Sequence, residues 1–297
     1  MFINLKYYVI TIAAIFIALG IGIYIGFMLD GQDIFVHQQD SLINELEKRF
    51  NQFSVENNNL KNQIKDLNAR LKNDDLYINT VYPSLIDGKL KDLNVAIIET
   101  NSDYIYSGVK NVIKSAGGNV ISEVDVYPYV LLNDDVKKQQ IVNYAAVKGE
   151  NISQDKVVQY VLEKISQALT KKPDINAMSF LKNEGVIDFS GNFDVPPDYV
   201  IICGGSLQKT NYPDIIDIPL IKLLRQQNVP IVGVERSDVA FSYIDYYKKV
   251  RLSTVDSVDL VYGKTALVFA IKGEPGNYGI KKSATSGLLP DIPTTAK

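Results

Sequence analysis

The chain has 297 residues, a formal net charge of −3 at pH 7, one cysteine, one histidine and no tryptophan. Acidic and basic residues nearly balance and form no basic block, so nothing in the sequence suits a nucleic-acid partner. A single cysteine excludes an internal disulfide and any two-cysteine metal or redox motif, and leaves the redox compartment open.

Tyr7 to Leu29 is 23 residues without a charge, flanked by Lys6 and Asp30. A helix of that length matches the thickness of a bilayer's hydrocarbon core, about 30 Å. A signal peptide has a shorter apolar core and a small-residue cleavage site, and Met28-Leu29-Asp30-Gly31-Gln32 supplies no such site. Residues 1–30 are therefore expected to be an uncleaved single-pass anchor in the cell membrane. Lys6 and the α-amine precede the span, while Asp30 and Asp33 follow it. The positive-inside tendency then puts the N-terminus in the cytoplasm and the bulk of the chain outside. Tyr7 and Tyr8 suit the interfacial belt. Ala14, Ala18, Gly22 and Gly26 recur every four residues, a spacing that lets two membrane helices approach closely.

Residues 31–72 carry a heptad pattern. With Val36 at position a, Ile43, Phe50, Asn57, Ile64 and Leu71 also fall at a, and Gln39, Leu46, Phe53, Leu60 and Leu67 fall at d. Nine of these eleven residues are apolar, which predicts a coiled-coil stalk extending about 50 Å. Asn57 at an a position is a device that fixes register and favours two strands, and the bulky Phe50 and Phe53 leave a trimer open. The chain holds no second helical pattern of comparable length, so a parallel homodimer is expected. His37 falls at position b and reads as a solvated surface residue.

Residues 73–91, with Pro83 and Gly88, read as a linker. Residues 92–272 then alternate strand and helix signals. Leu93–Glu99 is a buried strand, Tyr104–Ala116 a helix closed by Gly117-Gly118, and Asn119–Val124 the next strand. Lys156–Leu169 and Ile218–Gln227 have helical spacing. Asp198–Cys203 and Pro230–Val234 read as further strands, and Ala266–Ile271 as the last. The alternation predicts a three-layer α/β domain with a mostly parallel sheet. Residues 133–151 and the tail 273–297 are irregular in composition.

In open α/β sheets ligands bind where strands end. Three polar loops follow strands here, and they supply Glu99, Asn101 and Asp103; Cys203, Gly204 and Ser206; and Glu235 and Asp238. If strand order brings them together, they line a small-molecule cleft. Their polarity also fits plain surface loops. Cys203 before Gly204-Gly205 looks like a nucleophile turn, but that chemistry needs a histidine base, and the only histidine is on the stalk. An enzyme with a carboxylate site in the Glu99, Cys203 and Glu235 loops is the weakest reading, so the chain is expected not to be an enzyme.

Three segments carry a family resemblance. They are Leu5-Lys6-Tyr7-Tyr8-Val9-Ile10 with the Ala18-Leu19-Gly20-Ile21-Gly22 run, the heptad stalk, and a C-terminal motif. The motif holds Ser253, Thr254, Asp256, Asp259 and Gly263, followed by Gly276-Asn277-Tyr278-Gly279 and Leu288-Leu289-Pro290. This layout resembles the MctB family, end to end. The resemblance implies copper transport or homeostasis at the cell envelope, with copper as the one metal it suggests. The residues themselves show no evident cofactor site. Copper prefers thiolate, thioether and imidazole donors, and Cys203, His37, Met1, Met28 and Met178 lie far apart in sequence. The alternative is a non-enzymatic dimeric scaffold for cell-wall or division machinery, with an envelope or cytoplasmic protein partner.

Overall fold

The computed structural model describes residues 5–170 and 173–291, with the backbone alone at residues 5 and 29–37. Met1 and the side chain of His37, both named above as copper donors, lie outside the described residues. The chain divides into two compact units, Met1–Asp75 and Leu76–Lys297.

The first unit is formed by the helix α1, Leu5–Ile86, which continues into the second. Its segment Lys6–Met28 has a mean hydropathy of 2.5 and is long and apolar enough to cross a membrane. Beyond it the heptad residues Ile43, Leu46, Phe50, Phe53, Leu60, Ile64, Leu67 and Leu71 are all exposed, at 52–74%. Helix α1 also takes in most of the expected linker. Tyr82 and Ile86 pack with Leu90 into the core of the second unit, and this tertiary burial outweighs the helix-breaking tendency of Pro83. The helix gives way at Gly88, whose φ of 65° is a left-handed conformation.

The second unit is built on a seven-stranded sheet. In chain order its elements are β1 (Asn94–Glu99), α2 (Ser107–Ser115), β2 (Asn119–Val126), α3 (Pro128–Asn133), α4 (Asp135–Val147), α5 (Val157–Thr170), α6 (Ile175–Asn183), β3 (Ile187–Gly191), β4 (Tyr199–Cys203), α7 (Ile218–Gln226), β5 (Ile231–Val234), α8 (Ile244–Lys249), β6 (Ser253–Val255), α9 (Val261–Lys272) and β7 (Asn277–Tyr278). Spatial order is β3-β2-β1-β4-β5-β6-β7, with β3 antiparallel to β2 and every other pair parallel. Alternate residues of β1 feed two cores. Ala96 and Ile98 join one with α5, α6 and α7, while Val95 and Ile97 join the other with α2 and α9. This is the expected three-layer α/β architecture.

Three further segments differ from expectation. Ala266–Ile271 is not a strand but part of α9, a helix buried nearly all round, which removes the 3.6-residue period that would betray it. The last strands are instead β6 and β7, both too short to announce themselves. Residues 135–147 form the helix α4, capped by Asp134, whose carboxylate accepts from the backbone N–H groups of Val136 and Lys137, both at 3.0 Å. The tail up to Asp291 is tied to the sheet through β7.

Candidate functional site

Strand order reverses between β1 and β4, the switch point at which α/β sheets open a crevice beyond their carboxyl ends. The three predicted loops do meet there. Asn101 Nδ2 donates to Gly205 O at 3.2 Å, and the Asp103 carboxylate accepts from Leu207 N–H at 2.8 Å. Tyr104 OH accepts from Ala240 N–H at 2.9 Å, which ties the first loop to the loop after β5.

Their side chains divide into two groups. Glu99, Asn101 and Asp103 line open space. Glu99 and Asn101 border a cavity of about 460 Å³ shared with Tyr104, Lys110, Glu123, Asp125 and Tyr127. Asn101 and Asp103 border a second, of about 550 Å³, with Tyr129, Gln208 and Tyr212. Asn101, Ser102 and Tyr127 belong to both cavities.

The other candidates turn away. Cys203 is fully buried, and burial pushes its thiol well above its ordinary value, so it is neither nucleophile nor ready thiolate. Gly204 makes room for Tyr247, since a Cβ there would stand 2.0 Å from the Tyr247 hydroxyl oxygen. Ser206 is buried and donates to Gln208 O at 2.7 Å. Glu235 is also fully buried, and its carboxylate is saturated. It accepts from Ser242 Oγ at 2.8 Å, Tyr243 N–H at 3.0 Å and Lys281 Nζ at 2.8 Å. Asp238 lies at the surface, paired with Arg236, which holds its carboxyl below the usual range.

The cleft's main electrostatic feature is one that the sequence reading missed. Glu99, Asp125 and Asp188 are cross-strand neighbours on β1, β2 and β3. Burial first, then the Asp125 and Glu123 carboxylates, push Glu99 up to about 7, against a backbone hydrogen bond from Tyr106. Burial, Asp188 and Glu123 likewise raise Asp125, while Lys182 pulls it back. Lys110 pairs with Glu123 and Lys182 with Asp188. The expected strand stopped at Val124, one residue short of Asp125. Alternation of Glu123 and Asp125 with Val124 and Val126 is the signal that extends it.

The C-terminal motif residues brace the sheet. Asp256 Oδ1 accepts from Ile280 N–H at 2.9 Å and Ser257 Oγ at 2.6 Å, and its Oδ2 accepts from Lys281 N–H at 3.0 Å. Thr254 Oγ1, next to Ser253 on β6, donates to Asn277 Oδ1 at 2.8 Å. Asp259 accepts from the backbone N–H and hydroxyl of Ser237, both at 2.6 Å. Gly263 lies against the backbone of Asp256 and Ser257.

Among the described residues the soft donors do not converge on one point. Among the described residues no group of three or more His, Cys, Asp or Glu stands close enough to hold a metal ion. Cys203 and Met178 belong to different cores, and Met28 lies on the apolar span.

Two comparisons with known proteins bear on the whole chain. The profile of a family described as "Copper transport outer membrane protein, MctB" matches residues 2–289. No curated protein matches.

Proposed function

The chain belongs to the MctB family, which covers it almost end to end, and from that membership we propose that it is a non-enzymatic, membrane-anchored protein of copper homeostasis at the cell envelope. The family match is the observation that carries the reading. The apolar helix Lys6–Met28 supports anchoring, and the flanking Lys6 supports a cytoplasmic N-terminus with the α/β unit outside. The described strands form an open, mostly parallel sheet, so a helix rather than a barrel of these strands is the natural span.

Copper would be cargo of the pathway, not a resident of this chain. The α/β unit offers a cleft at the sheet's switch point, where Glu99, Asn101 and Asp103 would contact a small ligand. Such a unit contributes by holding a ligand or another protein, while the copper itself is ligated elsewhere. The test is a deletion strain grown across a copper series, with cell-associated copper and cell shape scored in the same cultures. Copper hypersensitivity with raised cell copper is expected. Normal copper tolerance with altered shape or septation would overturn the reading and leave a stalked envelope scaffold in its place.

A further inference from the structure

We propose that the face of α1 bearing Ile43, Leu46, Phe50, Phe53, Leu60, Ile64, Leu67 and Leu71 is the seam of a parallel, in-register, two-stranded coiled coil with a second copy of this chain. This rests on the helix alone and not on the copper reading. Eight large apolar side chains at a and d stand 52–74% exposed on a single continuous helix. Isolated helices owe their persistence in water to packing of such a face, and heptads at 3.5-residue spacing pack against other heptads.

Charge settles which occupant and which sense. In a parallel in-register pair each g residue faces the next e residue of the other strand. Here Glu56 at g meets Lys61 at e, and Arg70 at g meets Asp75 at e. The remaining pairs, Leu42 with Glu47, Arg49 with Ser54 and Gln63 with Asn68, set no like charges together. An antiparallel pair faces e with e, and the e row is mostly acidic, with Asp40, Glu47 and Asp75 against Lys61. Each chain also carries its apolar span at the N-terminal end of the same helix, so two copies anchored in one membrane run parallel. Asn57 then lies opposite Asn57 of the other copy, an amide pair that is self-complementary only in register. The apolar pattern ends at Leu71, since the next d position is Asp74.

The full-length protein in detergent tests this in two ways. Its protein mass by sedimentation should be that of two copies. Under mild oxidation Ile64→Cys, at a, should give a covalent two-chain species, while Ala69→Cys, at f, should lose that species. Cys203 is fully buried, so the native thiol does not confuse the readout. Glu56→Lys should shift association to higher concentration, and adding Lys61→Glu should restore it. A one-copy or three-copy mass for the unmutated chain would overturn the proposal. So would equal cross-linking at the two positions, or none at Ile64→Cys.

Discussion

Asp217 is fully buried beneath the sheet's switch point. Its Oδ2 accepts from Thr100 Oγ1 at 2.8 Å and from the Tyr247 hydroxyl, while Oδ1 has no partner among the described residues. Burial outweighs those two hydrogen bonds and pushes its carboxyl from the ordinary 3.8 up to about 7. The folded protein therefore holds this proton more tightly than the unfolded chain does. The stability that the protonated group contributes is fully present below about pH 4 and is lost as pH rises through about 7. Asp217→Asn keeps a carbonyl for Thr100 and Tyr247 and cannot ionise. Chemical denaturation at pH 5 and pH 8 should show the unmutated protein losing roughly 2–4 kcal/mol more than the variant across that interval. Equal losses in the two proteins would mean that Asp217 is not a proton holder at neutral pH. Glu99 shifts the same way but lines the cleft, so bound ligand would alter its titration and not that of Asp217. Neither acid stood out in the sequence for this property. Glu99 is a candidate by its place at a strand end, whereas Asp217 precedes a helix, where an acid reads as an ordinary N-terminal residue. Burial by elements distant in sequence decides the difference and leaves no local mark.

Elements were legible in proportion to how one-sided their environment is. Strands β1 and β4 are short apolar runs ending at polar loops, and α5 shows a clean apolar face, so all three were readable within a residue or two. Helix α9 was not, because its residues from Gly263 to Ile271 are buried on every side except Lys264 and a periodic pattern cannot form. The family motif marks its start for a packing reason. A Cβ at Gly263 would lie 2.1 Å from Ser257 O and 2.8 Å from Asp256 O, with no flexible side chain to give way. Gly263→Ala should therefore force the first turn of α9 off the loop after β6 and cost about 2–4 kcal/mol. Circular dichroism melts of the full-length protein would show it as a lowered midpoint, and an unchanged midpoint would mean that the motif glycine is kept for something other than close approach. The C-terminal motif thus acts largely as a clamp. Asp256 holds the backbone of Ile280 and Lys281, and Lys281 in turn reaches Glu235 at 2.8 Å.

At the scale of the whole molecule, an apolar span, a heptad helix and an α/β unit were readable because each leaves a local mark: an uninterrupted apolar run, a heptad repeat, and an alternation of strand and helix signals. The ligand was not, because a ligand is chosen by side chains from several strands at once. The copper reading makes this concrete. Cu(I) is held by two or more soft donors converging on one point, and the thiol must lose its proton to bind. Cys203 sits inside the sheet with its thiol pushed well above the ordinary value, and Met178 lies in the core on the opposite face. Bringing them together would require the sheet itself to open. Full-length protein in detergent, loaded with Cu(I) under reducing conditions and then passed over a competing chelator, should retain no stoichiometric copper. Cys203→Ser should leave that result unchanged. One tightly held copper per chain, lost on Cys203→Ser, would mean that the α/β unit opens to a state in which β4 is no longer packed, and would make this chain a copper carrier. Retention of no copper, together with a copper phenotype in the deletion strain, would place ligation of the metal on another component and leave this chain its cleft, its apolar span and its heptad helix as the means of reaching that component.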